Sequence, residues 1–141
     1  YNRSPMAYKS VEMTSLENLL QRADAITLHS TDEPANYRFL NSGKLRLLKP
    51  GVIIVNTADR ELIDEGALAQ LLKSGKVDSY ALEAEDFEHT PLRGLENAIL
   101  LKGFGWYTKE ALINLSEIWT GNIEALVLGK PVNVVRAENL L

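Results

Sequence analysis

The chain has 141 residues, is 45% hydrophobic and carries a formal net charge of −4, enough apolar surface for a folded core. Its charges are interspersed without a basic patch, which argues against nucleic-acid binding, and the absence of Cys excludes disulfides, thiolate zinc sites and cysteine nucleophiles. His29 and His89 are too far apart for metal-ligand spacing, no apolar run approaches membrane length, and the opening residues do not read as a signal peptide, so a cytoplasmic protein without a metal site or membrane partner is expected.

The opening YNRSP has no initiator Met, as expected of a fragment entered in mid-domain. Ser15 is placed to cap a helix through LENLLQRA, with Leu16, Leu19 and Leu20 on one face. Ala25–His29 reads as a strand. Ser42–Leu48 reads as a helix stopped by Pro50 and Gly51. Val52–Asn56 is a fully apolar strand centre. Asp64 is placed to cap EGALAQLLKSG, whose stripe is Leu68, Leu71 and Leu72; Lys73 suits the C-terminal dipole and Gly75 the position after the helix. Ser79–Glu83 and Ala98–Leu101 are further strands, separated by an acidic, aperiodic loop over Glu83–Gly94. A long helix is expected from Thr108 to Leu128, before Gly129-Lys130-Pro131. Strands alternating with helices, with apolar strand centres, predict an α/β fold whose parallel sheet is covered on both faces. Trp106, Tyr107 and Trp119 are expected to be core or interface anchors, and His29 a packed histidine.

Five segments carry a resemblance: SLENLLQRADAITLH, FLNSGKLRLLKPGVIIVNTA, LIDEGALAQLLKSGKV, NAILL and GWYTKEALINLSEI…NIEALVLGKPV. In order and separation the chain resembles the D-isomer-specific 2-hydroxyacid dehydrogenases from Tyr1 to about Val135. The resemblance implies a Rossmann-like parallel sheet with flanking helices over residues 1–107, incomplete at its N-terminus, followed by a crossing helix and tail over 108–141. It implies NAD or NADP as cofactor, a small 2-oxo acid as substrate, a homodimer, and hydride transfer as the reaction. The family's glycine-rich phosphate turn has no counterpart here, since Gly103-Phe104-Gly105 lacks the third glycine. Without the strand that precedes that turn, the resemblance implies a chain that folds only with an upstream segment or by exchange between chains.

The same resemblance places the site residues. Asn2, followed by Arg3 and Ser4, stands where an acidic residue usually accepts from the ribose 2′-hydroxyl. A neutral or basic group there suits a 2′-phosphate and leans the reading to NADP; a solvated turn is the alternative. Thr57, Ala58 and Glu83 are the other cofactor-binding candidates. The family's substrate-gripping arginine lies in a pattern like NTARGGLVD; NTADRELID puts Asp59 in that place and Arg60 at the next position. Its histidine lies in a pattern like TPHIGWYT; LKGFGWYT puts Gly103 there. Its glutamate corresponds, without a gap, to Glu88, with His89 after it. An Asp repels a substrate carboxylate and a glycine donates no proton. Glu88 and Arg60 are therefore the remaining catalytic candidates, and the plainer reading of Arg60 is a surface residue paired with Glu61 or Asp64. Two functions follow from the resemblance: an oxidoreductase with an eroded catalytic set, or a non-catalytic dinucleotide-sensing or scaffolding protein of the same fold.

Overall fold

Four parallel strands lie in the order in which the chain makes them: β1 (Ala25–Leu28), β2 (Val52–Asn56), β3 (Val77–Ala84) and β4 (Ala98–Lys102). They belong to a computed structural model that describes residues 1–2, 9–31 and 33–135. The chain divides into two compact units, residues 1–103 and 104–141.

Local sequence explains the helices of the first unit. α1 (Leu16–Arg22) begins where Ser15 Oγ accepts the Asn18 N–H at 3.2 Å. α3 (Glu65–Lys73) begins where Asp64 Oδ1 accepts the Ala67 N–H at 3.1 Å, and Gly75 follows its end at φ 75°. α2 is shorter than its sequence suggested, Ser42–Leu45 only. Beyond it Leu47 and Leu48 bond back to Lys44 and Leu45, three residues earlier, so the segment tightens while Leu48 stays buried.

The core lies between these helices and one face of the sheet. Leu16, Leu20, Leu45, Leu68 and Leu72 meet Ile26, Leu28, Ile54, Tyr80 and Leu82 there. The register puts Ala25, Thr27, Ile53, Val55, Ser79, Ala81, Ile99 and Leu101 together on the opposite face. That face is open among the described residues: Ile53, Ile99 and Leu101 are exposed, Ile99 by 54%. The expectation of two covered faces is corrected here. When strand order follows chain order, crossovers of one hand all fall on the same side.

β3 continues through Glu83 and Ala84 because these pair with Leu101 and Lys102, so the acidic loop starts later than expected, at Glu85. In the second unit, α4 (Lys109–Val127) is capped by Thr108, whose Oγ1 accepts the Ala111 N–H at 3.1 Å. No residue of α4 is buried; Trp119 is exposed, as are Trp106 and Tyr107, which meet edge to face at 5.3 Å. These aromatics are not core residues of the described chain.

Candidate functional site at the sheet edge

The carboxyl ends of all four strands share one edge, the edge at which open α/β sheets bind ligands. β2 delivers NTADRELID to it. Thr57 and Ala58 are exposed at the end of the strand. Asp59 caps a 3-10 turn, Arg60–Leu62, and its Oδ1 accepts the Glu61 N–H at 2.7 Å. The turn is braced by a neighbouring segment: the Arg38 N–H donates to the Glu61 carbonyl at 2.7 Å and the Leu40 N–H to the Leu62 carbonyl at 2.9 Å. Asp59 thus directs its carboxylate at its own turn.

Arg60 points to different partners from those its sequence neighbourhood suggested. Nε and Nη2 donate to Glu65 Oε1 and Oε2 at 3.1 and 2.8 Å, a bidentate pair. Nη1 donates to Asp86 Oδ1 at 2.9 Å and also reaches the carbonyls of Asp86 and Glu88 at 3.4 and 3.3 Å. Glu61 and Asp64 are not its partners, because the tight turn sends Glu61 outward and Asp64 is taken by the α3 cap. Hydrogen bonding to Glu65 raises the guanidinium pKa above its ordinary value, burial opposes this, and the Glu65 and Asp86 charges add to the rise.

The structure brings Arg60 to the backbone of Glu88, but the Glu88 carboxyl belongs to an exposed residue. His89 is exposed with φ 55°, and His29, expected to be packed, is exposed just beyond the end of β1, after the last buried strand residue, Leu28. Gly103 follows β4, its N–H donating to the Ala84 carbonyl at 3.3 Å. A Cβ there would stand 2.6 Å from Glu85 Oε1 and 3.9 Å from Glu83 Oε1. Glu83, Glu85 and Gly103 are therefore adjacent, and Glu85 fills the space a side chain at 103 would enter.

A cleft of about 600 Å³ runs along β1, within the size range of ligand sites. Asn2, Leu28, His29, Ser30, Thr31 and Asn36 are among its walls. Its strand wall is apolar and its rim polar. Asn2 lies at this cleft, whereas Arg3 and Ser4 fall outside the described residues. Among the described residues no group of three or more His, Asp or Glu is placed to hold a metal ion, and no helix is long and apolar enough to cross a membrane.

Sequence reading overlooked the residues beneath this edge. Asn56 and Tyr80 are fully buried and joined, Asn56 Nδ2 donating to Tyr80 Oη at 3.1 Å. Burial pushes the Tyr80 phenol well above its ordinary pKa, while the Asn56 hydrogen bond acts the other way. A polar Asn closing the apolar run VIIV, and a Tyr directly before ALE, were the available signals.

Comparison with known proteins agrees with this architecture. The sequence profile of the D-isomer specific 2-hydroxyacid dehydrogenase NAD binding domain matches residues 1–102. Glycerate dehydrogenase of Methylorubrum extorquens is 35% identical over 132 residues, covering 89% of this chain and 42% of that protein. The apo D-lactate dehydrogenase of Escherichia coli superposes with a TM-score of 0.81 at 30% identity, over 92% of this chain and 43% of that one. An acyclic imino acid reductase in complex with NADPH and D-Arg gives 0.79 at 31% identity, over 96% and 44%. The chain thus spans less than half the length of these relatives. By its profile match, its parallel sheet and these likenesses, the chain belongs to the D-isomer-specific 2-hydroxyacid dehydrogenase family, through that family's NAD-binding domain.

Proposed function

We propose that this chain forms part of the dinucleotide-binding domain of a 2-hydroxyacid dehydrogenase-like oxidoreductase whose usual arginine and histidine positions have been replaced, so that cofactor binding persists while turnover of 2-oxo acids is weak. A nicotinamide dinucleotide supplies hydride when bound. The chain's own residues would hold it at the carboxyl edge of the sheet, with Asn2, Thr57, Ala58 and Glu83 contributing. Asn2, with Arg3 and Ser4 after it, favours NADP over NAD.

The observation that carries the reading of weak turnover is the commitment of Arg60. All three of its guanidinium nitrogens donate to Glu65, Asp86 or the Glu88 carbonyl, while Asp59 occupies the place that matches the family's arginine. A small anionic substrate meets carboxylates there, and like charges about 4 Å apart repel by several kcal/mol at an effective dielectric near 20. Residual proton transfer is assigned to Glu88. Assaying the natively expressed protein with NADPH and NADH against glyoxylate, hydroxypyruvate and pyruvate tests this. Clear cofactor binding with little turnover is expected; ordinary enzymatic rates would overturn it.

The second reading is a dinucleotide-sensing or scaffolding protein. The exposed apolar residues of α4, Ile118, Trp119, Ile123, Leu126 and Val127, support it, and also support assembly as a homodimer. Under this reading the cofactor changes oligomeric state or partner binding without turnover, which sedimentation with and without NADPH measures.

A further inference from the structure

We infer that Tyr80 is a positioning residue: its buried hydroxyl, acting through Asn56, holds the Thr57–Asp59 turn in shape at the ligand edge. The ligand part of this inference rests on the function proposed above; the turn part does not.

The geometry begins with register. Ile54 is the direct partner of Tyr80 and Asn56 of Leu82, on the same face. Asn56 is therefore the diagonal neighbour of Tyr80 toward the carboxyl edge, a separation that an aromatic side chain spans. A tyrosine in a fully buried strand row is costly unless its hydroxyl finds a partner. Tyr80 finds the Asn56 amide, at 3.1 Å.

Asn56 then reaches the turn at two points. Its Oδ1 accepts the Ala58 N–H at 3.0 Å, and its Nδ2 donates to the Asp59 carbonyl at 2.7 Å. The amide has two N–H donors, and both are used, one on Asp59 and one on Tyr80. That division fixes the amide's rotation. With the Tyr80 oxygen removed, one donor is stranded in a site with no exposure, and the amide regains freedom to turn away from Asp59. Thr57, Ala58 and Asp59 lie on the exposed side of this arrangement, where a ligand at the sheet edge would meet them. Asn56 thus meets the backbone of both Ala58 and Asp59, and the Leu62 N–H adds a longer bond to the Asp59 carbonyl at 3.4 Å. The turn's shape is thereby set from inside the core.

The experiment is hydrogen exchange and cofactor titration on the natively expressed protein and its Tyr80→Phe variant. Exchange of the Ala58 amide is expected to rise by on the order of tenfold in the variant, with core amides of α3 little changed. Affinity for NADPH or NADH is expected to fall several-fold. In an Asn56→Ala background, Tyr80→Phe should add nothing further to Ala58 exchange. Leu72→Ala, a core change away from the turn, should lower stability without this signature. Asn56→Ser, whose short hydroxyl cannot span Ala58, Asp59 and Tyr80 together as the amide does, provides a second route if Tyr80→Phe folds poorly, and should raise the same exchange. Unchanged Ala58 exchange in Tyr80→Phe, with a uniform loss of stability, would overturn the inference and make Tyr80 a plain core residue. If the unmodified protein binds neither dinucleotide, the proposed function fails, while the exchange comparison still decides the role of Tyr80.

Discussion

The guanidinium of Arg60 and the carboxylate of Glu65 form a two-point pair, Nε to Oε1 at 3.1 Å and Nη2 to Oε2 at 2.8 Å, with the two side chains only 21% and 12% exposed. The remaining edge of the same guanidinium reaches Asp86 on the loop after β3. One side chain thereby ties the start of α3 to the β3–β4 loop.

Breaking that tie should be costly. Arg60→Ala leaves Glu65 largely buried without its partner, and a loss of about 2 kcal/mol is expected, between the values for exposed and fully buried pairs. Arg60→Lys should recover little, because an ammonium cannot make the planar two-point contact and reach Asp86 together. Urea denaturation measures the loss, and faster amide exchange across residues 85–89 locates it.

Under the proposed function, returning an arginine to position 59 and a histidine to position 103 should restore part of the chemistry. Asp59→Arg combined with Gly103→His is expected to raise turnover of 2-oxo acids at least tenfold over the unmodified protein. The histidine needs room: a Cβ at 103 would lie 2.6 Å from Glu85 Oε1. Glu85 is exposed and flexible, so the clash is relieved by rotation, and adding Glu85→Ala should improve the double variant further. Steady-state oxidation of NADPH and NADH is the measurement.

The buried phenol makes stability depend on alkaline pH. Tyr80 has its pKa raised in the folded chain by burial, so the folded state holds its proton where the unfolded chain, near the ordinary value of about 10, releases it. The contribution is complete below pH ~10 and is lost as pH rises toward the folded value. The slope of stability against pH above ~10 should flatten in Tyr80→Phe, as read by denaturation at a series of pH values.

Asp64→Ala should cost about 1 kcal/mol, because it removes the side-chain acceptor of the Ala67 N–H at the start of α3. Thermal unfolding followed by circular dichroism checks it. Asp64→Ser should recover most of the loss, since a hydroxyl serves the same capping role.

Much of the fold is legible in local sequence. Ser15, Asp64 and Thr108 each announce a helix start because a short side-chain oxygen satisfies an N–H that the helix leaves open. VIIVN marks β2 to the residue, since its run of β-branched side chains favours the extended backbone. The length of α2, the reach of β3 into Glu83 and the open face of the sheet were not legible. Each depends on what lies across a strand or beyond a turn, which local pattern does not encode.

The site divides in the same way. NTADRELID carries its family likeness and its own charges in the letters themselves, because residue type alone decides whether a guanidinium or a carboxylate stands at a position. What those side chains face is a matter of distance across the fold. Only the tertiary structure turned Arg60 to Glu65 and Asp86, brought Glu85 over Gly103, and set the Tyr80 hydroxyl beneath Asn56. Hydrogen bonds and ion pairs act over a few ångströms, and residues 24 and 26 positions apart come within that range only when the strands pair.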